Sequence, residues 1–395
     1  MNQISIAGRR DETPYRQLVQ RHGSPLLVLD CEVLRRRYRE LRAVLKNVDL
    51  FYAIKSMPVL AALETLMEEG ANFDVATTGE LDLLRRIGAD PARTIHTHPI
   101  KRDQDIRDAL DFGCTTFVAD NIDELLKFSA YKERVEILLR VSFRSTTAKV
   151  DLSRKFGCGL QHVPNLLGEA EKLGLCVKGL SFHVGSQSLG SAAHVDAINA
   201  CRMFYTTRGL PGTEQLSVLD IGGGFPVSYA DQQFDLAEFC RPISRALSEY
   251  PSRVRVIAEP GRVLSAPSVI SISTVLGRAE RGGLAWYYLD DGVYGAYSGL
   301  IYDHTHYPLT VFSDEAETRA SVLAGPTCDS IDVITELSML PVMNIGDLVV
   351  GRQMGAYTLA TASEFNSIPK PRLVVLNSAV RKSGRQRSGK LAVGG

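Results

Sequence analysis

A chain of 395 residues has room for about two or three domains. With 45% hydrophobic and 23% charged residues it can fill a large core, which excludes an intrinsically disordered or collagen-like chain. The 45 basic and 45 acidic residues cancel, so no net field draws the protein to nucleic acid or to an anionic membrane, and a small-molecule partner is the better expectation. The opening MNQISIAGRRDETPYRQ lacks the apolar stretch of a signal peptide, and no run approaches the roughly 18 apolar residues of a membrane span. Seven cysteines stand scattered at 31, 114, 158, 176, 201, 240 and 328 without a CxxC pair, which argues against a disulfide framework and a structural zinc site. A cytoplasmic protein is expected.

In chain order, Leu26–Leu29 reads as a short strand of an N-terminal segment, 1–30. Eight short apolar runs follow: Leu50–Ile54, Phe73–Ala76, Thr94–Thr97, Thr116–Ala119, Val135–Val141, Gly179–Val184, Leu216–Ile221 and Val254–Ala258. They are nearly continuous in hydrophobicity, as strands covered on both faces are. Helical periodicity fills most of the gaps. Leu60, Leu63, Leu66 and Met67 share one helix face, as do Leu81, Leu84 and Ile87, and later Leu166, Leu167 and Ala170. Thr77 and Glu80 fit a capping box, and Gly88 marks the end of that helix.

Eight β-α units predict a (β/α)8 barrel over 31–267, with an open doubly wound sheet as the alternative from periodicity alone. Beyond Pro267 the texture changes. Ser268–Val275, Ala285–Leu289, Ser321–Ala324, Leu348–Val350 and Leu373–Leu376 read as strands with little helix between them. They predict a mostly β domain over 268–378, which segment 1–30 is expected to join. The last residues, 379–395, carry five basic and no acidic side chains among Gly and Ser. They read as a flexible solvated tail, or less simply as a basic docking segment.

Active sites of such barrels lie at the C-terminal ends of the strands. The first run ends in FYAIK. This puts Lys55 at the mouth, either as a desolvated nucleophilic amine or as a lysine snorkelling to the rim. Asp74 ends the second run and Arg140 lies in the fifth. The sixth ends SFHVGSQ, bringing His183 and Ser186, although a lone histidine is often a core residue. The seventh ends in Gly222, Gly223 and Gly224, a phosphate cradle or merely a tight turn, and the eighth in EPGR, with Glu259, Gly261 and Arg262. An amine, an anion cradle with arginine, an imidazole and a carboxylate together match the needs of pyridoxal phosphate. In the second domain, Tyr294 and Asp303 stand nine residues apart, and Cys328, Asp329 and Asp332 follow a Gly-Pro turn. These read as a solvated surface with a small buried thiol, or as a double negative charge for a cationic substrate with a thiol as proton donor.

The order AIK, FDVAT, RKFG, HVGSQ, GGGFP, EPGR, DGVYG, YDH, GPTCDSID and GAYT, collinear from Lys55 to Asn366, resembles the fold-type III pyridoxal-phosphate decarboxylases of basic amino acids. It is most similar to the ornithine decarboxylases of eukaryotic type and their bacterial relatives, some of which also take lysine. The resemblance implies an alanine-racemase-type barrel with a β domain. It also implies conversion of L-ornithine to putrescine, or L-lysine to cadaverine, in polyamine biosynthesis. Lys55 would hold the cofactor as a Schiff base, His183 would stack on the ring, Glu259 would pair with the ring nitrogen, and Arg140 would lie near the ring oxygen. Ser186, the glycines to Gly224, Arg262 and Tyr357 would bind the phosphate. Asp303 and Asp329 would hold the distal ammonium, and Cys328 would return a proton to the α-carbon. In that family two chains share each site head to tail, with Tyr294, Cys328 and Asp329 supplied across the interface. Lys155 and Asp332 match an intersubunit salt bridge.

Ser-Met-Pro after Lys55 departs from the family's usual residues, and SQSLGSAAH at 186–194 differs from the animal enzymes and resembles the bacterial ones. Neither removes a chemical group. The competing readings are a decarboxylase of arginine or diaminopimelate, a racemase on the same fold, a silent regulatory homologue, and a metal-dependent hydrolase prompted by His96-Thr97-His98 and His304-Thr305-His306. Asp329, shorter than the glutamate of the diaminopimelate branch, favours the ornithine branch. The presence of Lys55 and Cys328 weighs against a silent homologue.

Overall fold

The computed structural model describes residues 4–143, 148–150, 154–207, 212–229 and 234–378; the basic tail expected at 379–395 lies outside them. The chain divides into two compact units, one formed by 37–226 and 234–263, the other by 1–36, 227–233 and 264–395.

The first unit is the barrel. Its strands are β1 (Val48–Ala53), β2 (Asn72–Val75), β3 (Thr94–His96), β4 (Thr116–Ala119), β5 (Glu136–Val141), β6 (Cys176–Phe182), β7 (Val218–Asp220) and β8 (Arg255–Ala258). Each pairs in parallel with the next, and β8 closes on β1 through Val256 and Val48. Closure, rather than an open sheet with two edges, settles the alternative left by periodicity. Phe51, Ile95, Val118, Leu138 and Ile257, one each from β1, β3, β4, β5 and β8, form a single buried apolar layer. Side chains fill the barrel, so chemistry is confined to its ends. Gly179 in β6 is required by the closure: a Cβ there would lie 1.9 Å from the carbonyl oxygen of Val218 in β7.

Helices follow the strands: Leu60–Glu68, Thr78–Ile87, Asp103–Phe112, Ile122–Phe128, Val163–Lys172, Ala192–Thr206 and Leu236–Leu247. Their starts are written in the sequence. Thr77 accepts from the Glu80 amide at 3.3 Å, Asn121 from the Glu124 amide at 2.9 Å, and Asp235 from the Ala237 amide at 2.8 Å. The expected box at Thr77 is offset by one residue, because the Glu80 carboxylate accepts from the Ala76 amide. Gly88 adopts the left-handed conformation that ends its helix.

The second unit is built on a nine-stranded sheet. Its longest strand, Val269–Arg281, pairs antiparallel with Leu26–Asp30, Leu284–Leu289 and Leu348–Gly351. Leu26–Asp30 also pairs in parallel with Arg372–Leu376, so the two ends of the chain meet in one sheet. Leu26, Val28, Ile272, Leu348, Val350 and Val374 share its core. Three strands of this unit are not among those the sequence marks, Ile4–Ala7, Leu309–Phe312 and Val333–Leu340, nor are Ala148–Val150 and Ser186–Ser188 of the first. Among the described residues, no helix is long and apolar enough to cross a membrane.

Candidate active site

The C-terminal ends of the barrel strands collect the polar residues that the sequence singles out. Lys55 lies in the single turn Ile54–Ser56 that follows β1. Its Nζ donates to Asp74 Oδ2 at 2.8 Å, and Asp74, at the end of β2, is 1% exposed. Thr97 donates to the other oxygen of Asp74. The amine, which position alone leaves either desolvated or at the rim, is ion-paired, with 39% of the lysine side chain accessible. Glu80 adds a further carboxyl. Burial and the nearby Asp74 raise it above the usual carboxyl range, while Lys55 opposes the shift.

His183 follows β6. Its Nδ1 accepts from the Gly185 amide at 3.0 Å, which leaves Nε2 to carry the proton of the neutral ring. Burial, then the charges of Arg140 and Lys55, holds the imidazole well below its ordinary pKa, so the ring is neutral at physiological pH. A neutral ring can lie flat on an aromatic partner without bringing a second cation to Lys55. Arg140 sits with its guanidinium 5.5 Å from the centroid of Phe156.

The glycine run forms the floor beside His183. Gly222 and Gly224 have φ of 64° and 97°, open to glycine at no steric cost. At Gly223 a Cβ would stand 2.7 Å from the Glu259 carbonyl and 2.9 Å from His183 Nε2. The concavity exists because side chains are missing. Arg262, 5% exposed, faces this floor and donates to Ser186 Oγ from Nη2 at 3.0 Å and from Nε at 3.3 Å. Gly261 allows the turn to pass Ser56, whose Cβ would lie 3.0 Å from an added methyl.

Glu259 ends β8 and is 7% exposed; Asp220 ends β7 and is wholly buried. The two carboxyls hydrogen-bond to each other. Burial first, then Asp220 and Asp74, drives Glu259 well above the usual carboxyl range. Asp220 lies two residues before the glycine run, inside the run Leu216–Ile221 that the sequence marks only as strand. Buried His194 was also missed: its Nε2 bonds the Gly223 carbonyl at 3.0 Å and fixes the floor from behind. Its partner is 29 residues away, so no local pattern marks it.

The second unit brings together Tyr294, Cys328, Asp329 and Asp332. Tyr294 donates to Asp329 Oδ2 and stacks on Phe365 at 4.5 Å. That hydrogen bond holds Asp329 below the usual carboxylate range and pushes the Tyr294 hydroxyl up to about 12. Cys328 is exposed rather than a small buried apolar residue, and its amide donates to Asn366 at 3.0 Å. Asp303 caps the short helix Gly299–Tyr302, and Tyr357 is held at φ 56°. Asp332 is 2% exposed. Its oxygens accept from the amides of Val293 and Thr327 and from the Thr327 hydroxyl, all in its own chain. His96, the last residue of β3, and His98 just beyond it turn to separate aromatic neighbours, Phe117 and Phe156. Among the described residues, no group of three His, Cys, Asp or Glu side chains is placed to hold a metal.

The barrel mouth fits pyridoxal phosphate in kind: one amine, a side-chain-free floor with a buried arginine for a phosphate, a neutral imidazole and a buried carboxyl for a ring nitrogen. Residues 31–266 match the family described as pyridoxal-dependent decarboxylase, pyridoxal binding domain. The chain is 35% identical over 359 residues to the lysine/ornithine decarboxylase of Selenomonas ruminantium, covering 91% of each. It is similar in structure to the lysine/ornithine decarboxylase of Vibrio vulnificus complexed with putrescine, at 48% identity, TM-score 0.88, and coverage of 95% of this chain and 100% of that one. The same enzyme complexed with cadaverine gives 49% identity and a TM-score of 0.89, covering 94% of this chain and 100% of that one. By sequence, fold and mouth chemistry alike, the chain belongs to the pyridoxal-dependent decarboxylases, the fold-type III family that its motifs resemble.

Proposed function

We propose that this protein decarboxylates an L-diamino acid, with L-ornithine and L-lysine as substrates and putrescine and cadaverine as products. One observation carries the reading: the Lys55–Asp74 pair, the glycine floor with Arg262 and Ser186, and buried Glu259 meet at one barrel mouth. The names of the relatives support the substrate class. Bound there, pyridoxal phosphate supplies an electron sink for the carbanion left when carbon dioxide departs.

The protein's part is to hold and orient. Lys55 Nζ secures the aldehyde, with Asp74 fixing the amine's direction. Arg262, Ser186, Gly222, Gly223, Gly224, Gly261 and Tyr357 take the phosphate. His183 lies on the ring face, Arg140 near the ring oxygen, and Glu259 at the ring nitrogen. Cys328 delivers the proton to the α-carbon. Asp303 and Asp329 bind the distal ammonium; a neutral-tailed substrate would leave their charges unpaired. Ornithine and lysine differ by one methylene, worth about 1–3 kcal/mol in a pocket, so both are accepted.

The proposal includes a homodimer with shared sites, Tyr294, Cys328 and Asp329 facing the barrel mouth of the other chain. Exposed Ile331, Leu337, Met339 and Ile345, at 52%, 56%, 58% and 67%, support it, because one short segment presents them all to solvent in the single chain. The expected Lys155–Asp332 bridge is the weaker part, since the donors of its own chain already occupy Asp332. Seven free thiols suit a reducing compartment, in keeping with a cytoplasmic enzyme.

Purified protein loaded with pyridoxal phosphate, assayed for carbon dioxide release from ornithine, lysine, arginine and diaminopimelate, tests the reading. Turnover of the first two is expected. Release from arginine or diaminopimelate alone, or racemisation without release, refutes it.

A further inference from the structure

Two buried acids end adjacent strands of the barrel. Asp220 closes β7 with no exposed surface, and Glu259 closes β8. Asp220 is tightly held: Ser181 in β6 donates to its Oδ2 at 3.1 Å, and the Gly222 amide donates to its Oδ1 at 2.9 Å. Its remaining neighbour is Glu259, and the two carboxyls hydrogen-bond to each other. A carboxylate only accepts, so such a contact requires one proton between them. The surroundings favour keeping it. The charged groups facing the pair are Asp74 from β2, a third acid, and Lys55 from the turn after β1, already ion-paired to Asp74. The phenol of Tyr205, from the helix Ala192–Thr206, approaches Asp220 but bonds the β6 and β7 backbone instead. Two full negative charges without a compensating cation would be costly at this depth.

We propose that Asp220 is a positioning residue that shares a single proton with Glu259 and so holds, beneath the glycine floor, the proton that the ring nitrogen of the cofactor takes up. The inference rests on reading the mouth as a pyridoxal phosphate cradle. The balance is simple. Before the ring docks, the two acids carry one proton and one negative charge. Afterwards the proton is on the ring nitrogen, both carboxyls are ionised, and the net charge of the locus is unchanged. The protein therefore protonates the ring without drawing a proton from solvent. Ser181 and the Gly222 amide fix Asp220 so that, as the proton moves, the residue that turns to the ring is Glu259.

The test counts protons as well as turnover. Cofactor-free full-length protein is titrated with pyridoxal phosphate by calorimetry at about pH 8, in two buffers of different ionisation enthalpy. Asp220→Asn keeps the shape but leaves Glu259 ionised, accepting from the amide, so it should take up about one more proton per chain from buffer than the wild type. Ser181→Ala keeps both acids and should retain the wild-type count. As a measurement on the wild type alone, the infrared difference spectrum should lose one protonated carboxyl band when the cofactor docks. Equal proton counts for wild type and Asp220→Asn, or no such band in the wild type, overturn the proposal. If the wild type binds no pyridoxal phosphate at all, the underlying reading of the cradle has failed instead.

Discussion

Lys101 is the most constrained cation away from the mouth, and replacing it by methionine is the sharpest test of how the barrel holds its loops. Its side chain is 1% exposed, as is that of Glu124. The three ammonium protons meet four acceptors: Glu124 Oε1 at 3.0 Å and the carbonyls of His98, Pro99 and Val118 at 2.7, 3.2 and 2.7 Å. Burial nonetheless brings the amine down to about 8. Lys101→Met leaves three carbonyls without this donor and Glu124 with the half-buried Lys127, at 2.6 Å, and the amide of residue 101, at 3.0 Å, but without its buried cation. Removing one partner of a buried pair costs about 3–5 kcal/mol. Adding Glu124→Gln removes the stranded charge while keeping an acceptor for the Lys101 amide, so the double variant should recover about 1–3 kcal/mol. Urea unfolding by circular dichroism gives the totals, and hydrogen exchange at the β3 and β4 amides reports this unit alone. Loss of under about 0.5 kcal/mol for Lys101→Met, or strict additivity in the double variant, would refute the reasoning. There is a functional echo: Lys101 holds the carbonyl of His98, the His98 ring packs on Phe156 at 5.4 Å, and Phe156 carries the guanidinium of Arg140. Activity in Lys101→Met should therefore fall further than the folded fraction does.

Lys55→Ala should remove the visible absorbance of a covalently held cofactor and let the cofactor leave on gel filtration; a retained band would reject the assignment. Gly223→Ala inserts a methyl 2.7 Å from a backbone carbonyl and should weaken pyridoxal phosphate binding at least about tenfold, an overpacking cost of roughly 1–3 kcal/mol, as read by equilibrium dialysis. Burial raises Asp291 from 3.8 to about 7, so the folded state binds the extra proton and this residue's support for folding is complete at low pH and lost as pH rises through 7. Asp291→Asn, neutral throughout, should therefore gain stability relative to wild type as pH rises from about 4 to about 7, by up to roughly 4 kcal/mol and read as a growing difference in Tm; an unchanged difference would contradict the account.

The barrel was legible because its strands are buried on both faces, so that LFYAI reads as an unbroken apolar run and EILLRV as an apolar core interrupted only by Glu136 and Arg140. The strand Val333–Leu340 was not. Its sequence VITELSML turns Leu337 and Met339 outward, and a strand apolar on its open face breaks the alternation that a one-chain reading relies on. Ile4–Ala7 is four residues long, with a partner some 300 residues away, and owes its place to pairing with Leu309–Phe312. At the mouth, position at a strand end identified Lys55, Asp74, His183 and Glu259 as candidates but said nothing of their partners. Position left the lysine either desolvated or at the rim and could not show that Asp74 meets it at 2.8 Å. Asp220 stands two residues before the glycine run, within the apolar run Leu216–Ile221, where nothing local marks it as a site residue. That its side chain reaches β8 depends on the parallel registers of β7 with β6 and β8, which no local pattern encodes.

Those registers explain why so many acids gather at one rim. In these parallel registers Asp74 lies opposite Ala53 and Asp220 opposite Ile257, so Lys55 and Glu259 each stand two residues further along the neighbouring chain segment at the same mouth. Asp74 on β2 answers Lys55 after β1, and Asp220 on β7 answers Glu259 on β8. The first pair is a cation with an anion and needs no proton; the second is two anions and must carry one. One acid is thus committed to an amine that has to hold a carbonyl carbon, and the other two to a group that has to receive positive charge. A lysine in place of Asp220 would balance Glu259 equally well as a static structure. It would leave no proton to hand on, and would set a second cation beside the ring nitrogen. The choice of two acids over an ion pair at this depth is intelligible only if the positive charge arrives with the cofactor.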